Sequence, residues 1–215
     1  MSARIDRLSS PEAANGDTGP VNVWIIGDDD EVIVIDPGRD PAAVLDAVGD
    51  REVLAVICTH GHPDHVAAAL EVADRDEASV ALHPKDRNLW RETYPQDDAD
   101  IEMEDGGVFG VADVQLEVIH AAGHSAGSVC LYCEELGVVF TGDVLMAGGP
   151  VPHDGEFPDF ARQLTAIGEY LLALPSPTRV LPGHGQETTI AQAEKKFDSW
   201  VSAGSDPASL AALGE

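Results

Sequence analysis

The seven residues 59–65, Thr-His-Gly-His-Pro-Asp-His, constrain this chain more than any other feature. They place three imidazoles and a carboxylate directly after the apolar run 53–58, which has the pattern of a buried strand. In α/β proteins, reactive and ligand-binding side chains gather on the loops that leave the carboxyl ends of strands. The segment therefore predicts a functional loop at the end of a buried strand.

The spacing within this segment favours metal binding. In an extended loop His60 and His62 project to the same side, so both can reach one ion. Pro63 suits the first turn of a helix. Asp64 and His65 then lie in that turn, where the helix dipole favours a carboxylate, and can reach a second ion. Imidazole nitrogens and carboxylate oxygens are the usual ligands of zinc and neighbouring metals.

Three later residues are candidates to complete such a site. His124, Asp143 and His184 each follow a predicted strand and stand beside glycines, which allow the backbone to approach an ion closely. Taken singly, a polar residue on such a turn is usually just solvated. Their recurrence at three strand ends predicts that they join the first motif.

At these motifs the chain resembles the metallo-β-lactamase superfamily and, within it, the glyoxalase-II-like hydrolases. The resemblance covers about residues 20–190 and is carried by residues 36–38 (Asp-Pro-Gly), 59–65, 123–125 (Gly-His-Ser), 141–143 (Thr-Gly-Asp) and 182–185 (Pro-Gly-His-Gly). It implies an α/β (α+β) fold of the four-layer αββα type.

The resemblance also implies a ligand set for two divalent metal ions, with zinc expected first and iron or manganese as alternatives. One ion would be held by His60, His62 and His124. The second would be held by Asp64, His65 and His184, and Asp143 would bridge the two.

The activity that this resemblance implies is hydrolysis of a thioester, with Asp64 as the predicted catalytic residue beside the metals. A lactonase would use the same ligands. A mononuclear iron persulfide dioxygenase would use only the counterparts of His60, His124 and Asp143, and a non-catalytic metal-binding module is a further alternative. The chain ends 31 residues after His184, whereas full-length glyoxalase II has a long helical C-terminal region, so the thiol carrier stays open.

Composition limits the partners. The 215 residues carry 39 acidic and 12 basic side chains, a net charge of −27, which argues against nucleic acid and anionic membrane surfaces. No apolar stretch approaches the ~20 residues of a membrane helix, and no apolar segment follows Met1. We expect a cytoplasmic protein acting on a small-molecule substrate, with one domain over residues 1–215 and a helix and tail over 188–215; the sequence leaves the oligomeric state open.

The three cysteines are predicted to be packing residues. Cys58 precedes the first motif and is expected to be buried beneath it. Cys130 and Cys133 have C-x-x-C spacing, but they lie in a predicted strand, where residues three apart face opposite sides.

Three histidines and Asp36 have less certain roles. His120 is predicted to be buried and hydrogen-bonded, with support of a metal ligand as the alternative. His83 is expected to cap a strand, and His153 can line a substrate cleft. Asp36 is a candidate to orient a ligating imidazole, with a turn or helix-capping role equally open.

The alternation of apolar runs predicts the secondary structure. Strands are expected at 21–26, 32–35, 53–58, 79–82, 114–119, 128–133, 138–141 and 179–181. Helices are expected at 41–48, 66–74, 85–91, 160–172 and 188–201, with a loop over 92–107. Strand clusters alternating with helices indicate an α/β or α+β protein. Phe157 and Tyr170 are predicted to pack in the core, with the cleft as an alternative.

Overall fold

A computed structural model gives the structure of the chain for residues 2–10, 19–150 and 159–204. It contains two six-stranded sheets. The first sheet has the order β1-β2-β3-β4-β5-β6, with strands Arg4–Ser10 (β1), Val21–Gly27 (β2), Glu31–Ile35 (β3), Glu52–Ile57 (β4), Ser79–Leu82 (β5) and Ile101–Glu102 (β6). The second has the order β12-β11-β10-β9-β8-β7, with strands Val108–Val111 (β7), Val114–His120 (β8), Val129–Cys133 (β9), Val138–Gly142 (β10), Arg179–Pro182 (β11) and Thr188–Thr189 (β12).

Helices cover the outer faces of the two sheets. They are Pro41–Val48 (α1), Pro63–Val66 (α2), Ala69–Asp74 (α3), Arg87–Thr93 (α4), Phe160–Ala166 (α5) and Ile190–Gly204 (α6). A 3₁₀ turn at Pro84–Asp86 precedes α4, and a π-helical turn at Ile167–Leu171 continues α5. No helix among these residues combines the length and apolarity that a bilayer crossing requires.

Three apolar clusters account for the layering. Trp24 and Ile33 of the first sheet pack with Leu131 and Phe140 of the second, and this cluster fills the space between the sheets. A second cluster joins the other face of the first sheet to α1, α3 and α4, and a third joins the other face of the second sheet to α5 and α6. Both faces of the central strands are therefore buried, which confirms the αββα arrangement.

Within each sheet, the strand directions bring candidate loops to one edge. β3, β4 and β5 are mutually parallel, as are β10 and β11. Parallel neighbours end at the same edge of a sheet, so the loop after β4 lies at the same edge as the ends of β3 and β5, and the loops after β10 and β11 leave the second sheet side by side.

Most predicted strands are confirmed, but four at sheet edges, β1, β6, β7 and β12, were missed. β1 alternates half-buried and exposed residues, and its sequence is too polar to stand out. β6 lies inside the predicted loop 92–107 and both its residues are exposed. β7 also has exposed residues. Edge strands are stabilised by pairing with a neighbour rather than by their own apolar pattern.

Several helix predictions also need correction. The helix predicted over 66–74 is two short helices, α2 and α3. The final helix begins at Ile190, because Thr188 and Thr189 pair with β11. Tyr170 is 47% exposed, so its predicted core role is wrong. Phe157, His153 and the predicted tail from residue 205 lie outside the described residues.

Candidate metal centre

The loop after β4 is built as the sequence predicts. The Thr59 carbonyl accepts a hydrogen bond from Val129 N–H at 2.9 Å, which ties this loop to the opposite sheet. His62 has extended backbone angles and precedes Pro63 at the first position of α2. Asp64 and His65 are buried in the first turn of that helix. The short motif thus passes from strand to helix within five residues and gathers its four polar side chains close together.

His60, His62 and His124 form the first candidate ligand group. His62 Nδ1 lies 3.1 Å from His124 Nε2. His60 is buried, and its ring centroid lies 4.7 Å from that of His62 and 4.8 Å from that of His124. Two loops from different sheets therefore bring three imidazoles within reach of one ion.

Asp64, His65 and His184 form the second candidate group. His65 Nε2 lies 3.3 Å from His184 Nε2, and Asp64 Oδ2 lies 3.6 Å from His184 Nε2 and 4.0 Å from His65 Nε2. His60 and His62 thus belong to the first candidate group, and Asp64 and His65 belong to the second.

Asp143 lies between the two groups. Its Oδ2 atom is 3.5 Å from His124 Nε2 and 3.9 Å from His60 Nε2. The same oxygen is 3.4 Å from His65 Nε2 and 3.5 Å from His184 Nε2. One carboxylate therefore faces imidazoles of both groups.

The arrangement fits metal ions. Two ligands of a tetrahedral zinc ion, each 2.0–2.1 Å from the metal, lie about 3.3 Å apart, close to the nitrogen–nitrogen distances of 3.1 and 3.3 Å. His60 Nε2 and Asp143 Oδ1 are buried with no hydrogen-bond partner among the described residues. Buried polar atoms rarely stay unsatisfied, and a cation would satisfy both. These clusters could bind metal ions.

Charge coupling within the cluster is strong. Burial lowers the pKa of His60, and the nearby His65 and His62 lower it further. Burial alone would also lower the pKa of His65, but Asp143 and Asp36 raise it well above its usual value. Burial would raise the pKa of Asp143, yet His65 and other imidazoles hold it far below its usual range. The carboxylate therefore stays ionised among imidazoles that compete for protons.

Asp36 orients His65, so its candidate role is confirmed. Asp36 is buried, and its Oδ2 lies 3.0 Å from His65 Nδ1. The same carboxylate accepts hydrogen bonds from Thr59 N–H and Oγ1, each at 2.7 Å. Thr59 Oγ1 lies 3.1 Å from His60 Nδ1. A second partner on the far ring nitrogen fixes the direction of a ligating imidazole.

Sequence reasoning missed the residues that hold the His184 loop. Asn22, at the start of β2, is buried and donates from Nδ2 to the carbonyls of Pro182 and Gly185. Its backbone N–H donates to Gly183 at 2.7 Å. His184 Nδ1 lies 3.1 Å from the carbonyl of Pro20, which orients that ring. Asn22 stands alone in an apolar strand, and a buried amide in that position was the available signal.

Two further histidines among the described residues, His83 and His120, stack on one another. The rings of His83 and His120 are parallel, with centroids 4.2 Å apart. His83 Nδ1 accepts a hydrogen bond from Lys85 N–H, so His83 caps the 3₁₀ turn that follows β5 rather than the strand itself. His120 is hydrogen-bonded through Nε2 to the Ala126 carbonyl, as predicted, but it is half-buried rather than buried.

All three cysteines are buried and unbridged. Cys133 packs between the sheets and Cys130 packs on the outer face of the second sheet. Their opposite orientation confirms the packing interpretation. Cys58 lies in the cluster beneath α1 and α3.

The fold and the site define a class: an αββα protein with a histidine- and aspartate-rich cluster that could bind metal ions. The family model of the metallo-β-lactamase superfamily matches residues 16–184. The chain therefore belongs to the metallo-β-lactamase superfamily, whose members are metal-dependent hydrolases.

Individual relatives agree with that assignment. A Bacillus subtilis protein named probable metallo-hydrolase YqgX is 31% identical over 188 residues, covering 80% of this chain and 89% of the relative. The Haemophilus influenzae hydroxyacylglutathione hydrolase GloC is 29% identical over 196 residues, covering 84% and 92%. The crystal structure of TTHA1623 in a di-iron-bound form is similar with a TM-score of 0.73 and 30% identity, covering 82% of this chain and 93% of that one.

Proposed function

We propose that this protein is a dinuclear metal-dependent hydrolase that cleaves thioesters. The observation that carries the proposal is the position of Asp143 Oδ2, within 3.9 Å of imidazole nitrogens from both ligand groups. A carboxylate oxygen shared in this way suits a bridging ligand. His60, His62 and His124 would hold one ion, and Asp64, His65 and His184 the other.

Two such ions would supply a hydroxide nucleophile by lowering the pKa of water to about 7, and would polarise the substrate carbonyl. The residues of the chain fix where this chemistry takes place. Asp36 contacts Nδ1 of His65, and Thr59 contacts Nδ1 of His60. Asn22 holds the loop of His184. Such preorganisation reduces the rearrangement needed during the reaction.

Asp64 is suited to hold a metal and to accept a hydrogen bond. Burial would raise the pKa of Asp64, but the nearby imidazoles of His184 and His65 hold it far below its usual range. A carboxylate that stays ionised in this way is a poor proton acceptor near neutral pH. We therefore assign Asp64 an orienting role.

The substrate class rests on similarity to GloC, which is named as a hydroxyacylglutathione hydrolase. We infer a 2-hydroxyacyl thioester as substrate, with the thiol carrier to be found by screening. Lactones present the same electrophilic carbonyl and belong in the same screen. Zinc is the expected metal, and the di-iron form of TTHA1623 makes iron the alternative to measure.

The first experiment is metal content per chain, followed by hydrolysis assays on thioester and lactone panels. About two equivalents of metal and metal-dependent thioester cleavage support the proposal. One equivalent of iron, with oxygen consumption on a persulfide, would instead support a mononuclear dioxygenase using His60, His124 and Asp143.

The variant Asp143→Asn tests the bridging role of Asp143. It keeps the size of the side chain but weakens the shared oxygen as a ligand, so metal content should fall toward one equivalent. Activity should fall by more than the ~10–100-fold typical of residues behind a ligand. Full activity in Asp143→Asn would contradict the bridging role.

A further inference from the structure

Asp86 is a fully buried carboxylate outside the ligand set. It lies at the end of the 3₁₀ turn between β5 and α4. Its Oδ2 accepts hydrogen bonds from Gly61 N–H at 3.0 Å and from Ser125 Oγ at 2.6 Å. Its Oδ1 accepts from Gly127 N–H at 2.6 Å.

These donors belong to two separate loops of the first ligand group. Gly61 stands between His60 and His62, and Ser125 directly follows His124. The two loops come from different sheets, yet His62 Nδ1 and His124 Nε2 must stay about as close as the 3.1 Å observed to share an ion. The carboxylate of Asp86 is bonded to both loops and so fixes the distance between them.

Two glycines make this approach possible. A Cβ atom on Gly127 would lie 2.7 Å from Asp86 Cγ and Oδ1. A Cβ atom on Gly61 would lie 2.9 Å from the Asp86 carbonyl oxygen and 2.8 Å from Leu89 Cβ. Both distances are too short for real atoms, so a side chain at either position would push its loop away from Asp86.

We propose that Asp86 is a positioning residue for the first metal group, joining the His60–His62 loop to the His124 loop and thereby setting the affinity of that group for metal. The proposal rests on the metal centre of the proposed function. Asp86 acts only through the backbone and Ser125, because its three hydrogen bonds go to residues that are not themselves ligands.

Asp86→Asn tests the proposal with little change in size. An amide has one acceptor oxygen and one NH₂ donor. If the NH₂ group takes the place of Oδ1, this donor faces the donor Gly127 N–H. If the NH₂ group takes the place of Oδ2, it faces the donor Gly61 N–H. In either orientation one backbone donor loses its acceptor, so the link between the two loops is weakened.

The measurement is zinc titration of metal-free protein, followed by the ¹⁵N signals of the individual imidazoles. In Asp86→Asn we expect the signals of His60, His62 and His124 to respond at roughly 10–100-fold higher free zinc. The signals of His65 and His184 should shift much less. Gly127→Ala should reproduce this pattern, and it serves as the test if Asp86→Asn does not fold.

Two matched controls separate positioning from general stability. Asp76→Asn changes a carboxylate that also accepts a backbone hydrogen bond, from Val53 N–H at the opposite end of β4. Gly110→Ala adds a methyl group at a β7 position with open space around it. Both controls should titrate like the wild type.

The outcomes are distinct. Wild-type protein that binds no zinc at either group would overturn the proposed function and this inference with it. Wild-type binding with an unchanged Asp86→Asn, or an equal loss at both groups, would overturn this inference alone.

Discussion

The Oδ2 atom of Asp36 lies 3.0 Å from Nδ1 of His65, and the backbone of Asp36 has a φ angle of +50°. A non-glycine residue in this left-handed region costs about 1–2 kcal/mol. The cost is tolerated because Asp36 also accepts two hydrogen bonds from Thr59. A strained backbone thus places one carboxylate behind two neighbouring candidate ligands, His65 directly and His60 through Thr59.

Asp36→Asn should weaken zinc binding. Asparagine tolerates the positive φ angle, so the backbone should persist, but the amide cannot accept every bond that the carboxylate accepts. We expect affinity to fall about 10–100-fold, and the fall should include the His65 and His184 signals that Asp86→Asn largely spares. Loss confined to His60, His62 and His124 would contradict the contact between Asp36 and His65.

Gly183→Ala should disrupt the centre with a single methyl group. Its Cβ would lie 2.3 Å from Asp143 Oδ1 and 2.7 Å from His65 Cε1, so either side chain must move. We expect loss of bound metal and of any hydrolytic activity by about 100-fold or more, measured by metal content and by rates at saturating zinc. Gly110→Ala is the control. An unchanged metal content in Gly183→Ala would contradict this prediction, because it would show that Asp143 and His65 can move without loss of metal.

Acid should destabilise the fold through His83. Burial, with the nearby His120 and Lys85, lowers the pKa of His83 to about 4 from 6.5, although Asp105 opposes the shift. Between these values the unfolded chain binds a proton that the folded chain does not, so the free energy of unfolding should fall as the pH drops from 6.5 toward 4. The expected effect is on the order of 1–2 kcal/mol.

His83→Asn provides the comparison for that pH dependence. Asparagine retains an acceptor for Lys85 N–H but does not titrate. Denaturant unfolding of both proteins across this pH range should give a smaller decline for the variant. Parallel curves would show that His83 contributes nothing to the acid sensitivity.

Salt should stabilise the folded chain. A net charge of −27 on 215 residues produces strong self-repulsion in the compact state. Raising potassium chloride from about 0.01 M to about 1 M shortens the Debye length from about 30 Å to about 3 Å. We expect the melting temperature to rise across this range. A flat or falling curve would show that local ion pairs, such as Arg51 with Asp6, outweigh the net repulsion.

All seven candidate ligands could be found from the sequence because each follows a strand with a clear apolar pattern. In the first sheet the loop after β4 leaves the edge where β3 and β5 also end, and in the second sheet the parallel strands β10 and β11 place their loops side by side. Strand ends and glycines are local features, so the short motifs carried enough information. The division of the ligands into two groups came from the resemblance, since spacing alone could not pair His124 with His62.

The supporting residues were harder to predict. Asp86 lies in a polar stretch, and its donors are 25 to 41 residues away in the sequence. Asn22 reaches a loop about 160 residues away. Asp36 follows a strand and belongs to the motif of residues 36–38, and these two features made it a candidate. Which buried carboxylate or amide meets which loop is decided by the packing of the two sheets, and one sequence does not encode that packing in any short pattern.

The division of each ligand group between the two sheets has a consequence for the whole chain. His62 and His124 are 62 residues apart, and His65 and His184 are 119 residues apart. An ion held by either pair would be a removable cross-link closing a long loop, similar in its entropic effect to a disulfide between distant segments. Chelation would then remove two cross-links between the two sheets. Metal supply would therefore govern the stability of the folded chain as well as its activity.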